Sequence, residues 1–312
     1  MAVALALMAL ALVTAVLAPH VLLRVGWPRR APRLGILAWQ ACVLTVLASS
    51  LLLAVTALMP VQRVSLDIGH VVHACPEVLQ RRYQIFDGSF LHLTSLAIGA
   101  SVLAALVRST VRSSRAVRRG RRRQRELLDL LVRHRDDVHG AHVLEHDVPL
   151  AYCVPGGGGR IVVTTAALAA LDERQLTAVL AHEHAHLDGR HDLVLFGADV
   201  AAGAFPWVRF FRVAKRELSL LIEMLADDES VRRSDRNSLA TALVDMGQAP
   251  VPEGAVAANG DTVERVRRLL LAHPTPSWRQ RSLVTLAATL LLLTPWLVAL
   301  APIWAARSGL CE

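Results

Sequence analysis

The chain has 312 residues, 54% of them hydrophobic, yet it carries a formal net charge of +8. A mean hydropathy of +0.41 is too apolar for an ordinary soluble protein. Together with the basic balance it points to membrane spans joined by basic loops.

Four segments have the length and composition of spans. Residues 1–23 hold no acidic or basic side chain apart from His20. They do not read as a signal peptide, because the positive charge follows the apolar run instead of preceding it. Residues 35–59 are apolar over 25 positions, about 37 Å of helix against a hydrocarbon core of about 30 Å. Residues 89–107 are just long enough, with His92 inside, and residues 283–305 hold Pro295 and no charge. Four such uncharged runs argue against buried core helices. Arg24, Arg29, Arg30 and Arg33 separate the first two, nine arginines between Arg108 and Arg125 follow the third, and Arg279 and Arg281 precede the fourth. The positive-inside rule then predicts one topology. The N-terminus lies outside, loop 24–34 inside, loop 60–88 outside, residues 108–282 inside and the C-terminus outside. Every basic cluster agrees except the Arg81-Arg82 pair. The pI near 10.5 raises a nucleic-acid role. No aromatic residue interleaves 108–125 and no DNA-binding module surrounds it, so no direct nucleic-acid binding is expected. The run reads as a juxtamembrane segment meeting anionic lipid headgroups.

Between the third and fourth spans, His182-Glu183-His184-Ala185-His186 is an H-E-x-x-H sequence in a helical stretch. At about 100° per residue, His182 and His186 share one face about 40° apart, and Glu183 flanks it. That spacing lets two imidazoles share a metal, with the carboxylate as general base for the attacking water. His184 points to the opposite side, with Leu180, Leu187 and His191 expected near it, and is a poor ligand. Asp172 as N-cap and Gln175 at the third helical position predict a capping box, and Gly189 a stop. Burying two histidines and a glutamate side by side is costly unless something binds them.

Residues 193–211 are apolar enough to suggest a fifth span. A crossing there would separate the two histidines from the next acidic cluster, and Asp199, Pro206 and Arg209 weaken it. The segment is expected to be a helix and bend ending in Ala204-Phe205-Pro206-Trp207, either buried in the domain or at the membrane surface. The following helix carries Glu223 and Asp227 four residues apart. Glu223 stands among apolar neighbours, where an unpaired carboxylate is costly, and is assigned as the third metal ligand. Asp227 is assigned to accept the free ring N–H of a ligand histidine. Asp228 and Glu229 read as a solvated acidic face.

H-E-x-x-H followed by Glu223-Met224-Leu225-Ala226-Asp227 resembles the gluzincin pattern of integral-membrane metallopeptidases. It is similar to the peptidase portion of the bla/mec-type antirepressor sensors, and to the heat-shock protease HtpX with the CAAX prenyl endopeptidases. The resemblance also covers Tyr152–Gly156 through Ile161–Thr165, which it implies are a strand and turn leading to the zinc helix, and it spans roughly residues 140–235. It implies one zinc per chain and an expected fold that is mainly α: a multi-pass membrane protein with four transmembrane helices and a cytoplasmic gluzincin-like domain containing a small β element. The division follows as a three-span region 1–107, basic segment 108–125, metallopeptidase domain 126–282, fourth span 283–305 and outer tail 306–312. The metal ligands are then His182, His186 and Glu223, with Glu183 catalytic and Asp227 behind a ligand.

Three functions follow from this set. One is a bacterial plasma-membrane signalling peptidase that cuts a cytoplasmic repressor or itself. The second is quality control of membrane proteins, as in HtpX. The third is a catalytically silent receptor or scaffold, against which the intact Glu183 argues. The strand at Arg160–Thr165 is expected either to pair with an extended peptide or to be ordinary core. Candidates for steadying the oxyanion are Arg190, His191 and His273. The cysteines, Cys42, Cys75, Cys153 and Cys311, lack the spacing of a metal site. Cys42 and Cys153 read as packing residues, and the topology puts Cys75 and Cys311 on the outer side, where a bridge between them is chemically allowed.

Overall fold

The computed structural model describes residues 2–58, 90–131, 137–156, 158–247, 258–271 and 276–307. It divides into two compact units, one of Met1–Arg24, Leu37–Arg108 and Arg279–Glu312, the other of Val25–Ile36 and Ser109–Trp278.

The first unit is built from α1 (Ala2–Arg24), most of α3 (Pro32–Leu58), the start of α4 (Phe90–Leu131) and α11 (Trp278–Arg307). Four helical stretches, Val3–Arg24, Pro32–Val55, Leu96–Glu126 and Trp278–Ala301, are long and apolar enough to cross a membrane. Leu5, Leu12 and Val16 on α1 and Leu286, Leu290 and Leu297 on α11 point outward, the arrangement that lipid rewards and water does not. Helix contacts use small residues: a Cβ on Gly99 of α4 would fall 1.9 Å from the Ala54 Cβ of α3, so only glycine permits this approach. The buried Thr45 hydroxyl donates to the Leu291 carbonyl at 3.0 Å, which satisfies it inside an apolar setting. Helix α4 continues through the arginine-rich segment 108–125 without a break.

The second unit holds α2 (Trp27–Arg30), the end of α4 and a four-stranded sheet, β1 (Asp137–Val138), β2 (Ala141–Leu144), β3 (Ala151–Val154) and β4 (Arg160–Thr164). Helices α5 (Thr165–Ala170), α6 (Glu173–Asp188), α7 (His191–Ala204), α8 (Arg209–Ser230), α9 (Arg236–Gly247) and α10 (Ala258–Leu270) follow. The strand order is β1-β2-β4-β3, with β2 parallel and β3 antiparallel to β4. The β1–β2 turn needs left-handed backbone, and His139 and Gly140 supply it at φ 51 and 83°. Strand β4 is buried on both faces, with Val162 packing on Val154 and Leu144, and Ile161 and Val163 joining a core with Leu176, Val179 and Leu180 of α6. The expectation of a peptide pairing with this strand is therefore corrected. Both edges of β4 are taken by β2 and β3, so it is core, and among the described residues the outer strands of the sheet are β1 and β3.

Helix α6 starts at the predicted capping box, in which the Asp172 side chain accepts from the Gln175 amide and Gln175 accepts from the Asp172 amide, each at 2.8 Å. It ends at Gly189. Residues 193–211 form the expected helix and bend: α7 closes at Ala204, and Phe205 stacks on Phe211 at 5.2 Å as the chain turns into α8. The buried Ser230 hydroxyl of α8 donates to the Ala178 carbonyl of α6 at 2.7 Å and ties the two helices together. The fold class is mainly α with a small sheet, as the sequence led us to expect.

Candidate metal centre

Helix α6 is held on one side by the sheet and on another by Leu239, Ala240 and Leu269, which pack on Ala178. With its rotation so fixed, it presents His182 and His186 toward α8. The two Nε2 atoms lie 3.1 Å apart. The Glu223 carboxylate faces both, with Oε2 at 3.4 Å from His182 Nε2 and Oε1 at 3.6 Å from His186 Nε2. A tetrahedral zinc at about 2.0–2.1 Å from each donor needs neighbouring donors about 3.3 Å apart. The three side chains offer ligand atoms all within 4.8 Å of one another. Two imidazole nitrogens and one carboxylate converging from different helices fit zinc in chemistry and in spacing.

Asp227, one turn beyond Glu223 and 1% exposed, reaches behind the first histidine, 3.0 Å from His182 Nδ1. The distance suits a hydrogen bond, but the alignment falls short of a full one. Glu183 lies on the flank, and its carboxylate hydrogen-bonds the thiol and backbone amide of Cys153 on the edge strand β3. His184 turns away, its Nδ1 2.8 Å from the Leu180 carbonyl of its own helix.

Charge balance at the site follows from this packing. Burial disfavours a charged His182, but the carboxylates of Asp227 and Glu223 outweigh it and lift the imidazole to about 9. Burial wins at His186, which is pushed down to about 4. Burial opposes ionised Glu223 as well, yet His182 and Arg265 hold it at about 2, and the same two partners keep Asp227 ionised. Burial, with the Glu223 charge adding, raises the Glu183 carboxyl, which makes it a stronger base than a solvated glutamate. The Cys153 thiol is pushed up to about 12 by burial and by the Glu183 charge, so it stays protonated, which suits a packing residue.

One residue, Arg265, escaped the sequence reading, and another, His191, was given a different role there. Arg265 of α10 forks onto Asp227, Nε to Oδ2 at 2.9 Å and Nη2 to Oδ1 at 2.7 Å, and its Nη1 lies 3.0 Å from Glu223 Oε2. His191, raised above as an oxyanion candidate, instead has its Nδ1 3.1 Å from His186 Nδ1. It meets the ring on the side away from the Nε2 cluster, so that candidacy is corrected. Arg190 sits in left-handed backbone before α7, and His273, Cys75 and Cys311 lie outside the described residues. The signal for His191 was present, five residues past His186, but the turn at Gly189-Arg190 hid which face it would return to.

A mainly α chain with membrane-length helices and a histidine–histidine–glutamate cluster over a small sheet has the character of a membrane metallopeptidase. Comparison with known families agrees: residues 118–205 match the model of peptidase family M48, whose members are metal-dependent. The matched stretch contains His182, Glu183 and His186 and ends before Glu223 and Asp227, whose place at the centre rests on the sequence pattern and on the distances above. No curated protein and no solved structure matches the chain.

Proposed function

We propose that the protein is a zinc endopeptidase of the plasma membrane, working on the cytoplasmic side. The observation that carries the reading is the cluster in which the Nε2 atoms of His182 and His186 face the Glu223 carboxylate at 3.4 and 3.6 Å. His182, His186 and Glu223 hold the zinc. A zinc held by these residues would supply a Lewis acid that brings the pKa of water to about 7 and polarises a carbonyl. Glu183 takes the proton of the attacking water on its raised carboxylate and hands it to the leaving amine. Asp227 holds the His182 ring by its Nδ1 edge, which fixes Nε2 toward the centre. An extended substrate pairs with the outer edge of β3, because Cys153 on that strand brings it against Glu183.

The substrate in this reading is a cytoplasmic protein, a transcriptional repressor or the chain itself, cut in response to a signal. Support comes from the position of the histidine pair between the third and fourth apolar helices, and from arginine clusters that by the positive-inside rule favour an inner side for residues 108–282. The test compares proteins in cells carrying the wild-type chain with cells carrying Glu183→Ala. Loss of one repressor, or of the intact chain, in wild-type cells alone supports signalling. Broad accumulation of damaged membrane proteins in the variant would replace it with quality control, and identical proteomes would favour a silent receptor.

A further inference from the structure

We infer that Arg265 is a positioning residue that restrains Glu223 to one-oxygen ligation and so keeps the last metal position open for water; the inference rests on the metal-site reading above. Arg265 is 11% exposed and cannot shift freely, because its guanidinium is already forked on Asp227 through Nε and Nη2. The guanidinium plane is rigid. Fixing two nitrogens therefore fixes Nη1, which lies 3.0 Å from Glu223 Oε2, the oxygen that also faces His182 Nε2 at 3.4 Å, while Oε1 faces His186 Nε2 at 3.6 Å.

A carboxylate with both oxygens unencumbered can take zinc with either one or both, and two-oxygen binding fills the position that a hydrolytic site must leave open. A cation on Oε2 draws charge from that oxygen and fixes the rotation of the carboxylate. Oε1 is left as the better donor. The same guanidinium neutralises Asp227, so one residue sets the orientation of Glu223 and, through Asp227, of His182. The helix that carries it is itself pinned: Arg268 forks onto Asp228 at 2.7 and 2.8 Å, and Glu264 accepts from Arg29 at 2.5 Å. Helix α10 is thus a third support for the centre beside α6 and α8.

The test uses the full chain in detergent, loaded with cobalt(II) as a spectroscopic stand-in for zinc, and compares wild type with Arg265→Lys. Lysine keeps the charge, which protects folding, but a single ammonium cannot serve both carboxylates in the forked geometry. Four-coordinate cobalt absorbs visible light strongly, and higher coordination weakens the bands. Wild type should give intense bands. Arg265→Lys should keep a cooperative melt and bind one equivalent of cobalt, with a severalfold loss of band intensity. Superimposable spectra for the two proteins would overturn the inference and leave the metal site standing, as would weak bands in wild type. Wild type that takes up no cobalt would overturn the metal site and this inference with it.

Discussion

Asp227→Asn removes one charge at a position that serves two partners, and its effect can be worked out from the contacts. The wild-type carboxylate is 1% exposed, lies 3.0 Å from His182 Nδ1 and accepts two arginine hydrogen bonds at 2.7 and 2.9 Å. Asparagine preserves the volume, so no cavity forms. The amide cannot hold the His182 ring electrostatically, and it leaves Arg265 with Glu223 as its remaining carboxylate partner. Loss of such a partner behind a metal-bound histidine typically weakens metal affinity 10–100-fold, which is about 1.4–2.7 kcal/mol. The removal of a buried ion-pair partner is more damaging when nothing replaces it, at about 3–5 kcal/mol, so Asp227→Ala should melt well below Asp227→Asn. The assay is competition for zinc against a chromophoric chelator, with circular dichroism of the same samples to verify folding. A folded Asp227→Asn protein with wild-type zinc affinity would refute the reasoning, because His182 would then need no support from behind.

Further expectations follow from the same contacts. His184→Ala should bind zinc as the wild type does, because its Nδ1 meets only its own helix at Leu180, whereas His186→Ala should lose stoichiometric zinc on dialysis. Asp172→Ala removes the acceptor of the capping box that starts α6. It should cost about 1 kcal/mol, read as a drop of about 2–4 °C in the melting temperature of a unit this size, with one zinc still bound.

How much of this was legible in sequence depended on whether the signal was local. The start of α6 was readable because Asp172 and Gln175 solve a backbone problem within one turn. Glu223 stood out because a carboxylate between Leu221, Ile222, Met224 and Leu225 is costly unless something pairs with it. The four apolar helices follow from length and charge alone. Strand order was not readable: nothing in Arg160–Thr164 says which neighbours it acquires, and its continuous burial marks a central strand only once β2 and β3 are placed. Arg265 was hidden for a different reason. It lies close to Arg267 and Arg268 in a chain rich in arginine, and nothing in the sequence marks which guanidinium turns inward to Asp227 and which one pairs with Asp228.

The central claim is that this cluster is a zinc site built to cut peptide bonds, and Glu183→Ala tests it most directly. Purified wild type and variant are assayed side by side for zinc content and for cleavage of unfolded protein. The account predicts one zinc in each and cleavage in the wild type alone, since Glu183 moves the proton and His182, His186 and Glu223 hold the metal. Cleavage by the variant at the wild-type rate, or a wild-type protein that binds no zinc, would contradict it.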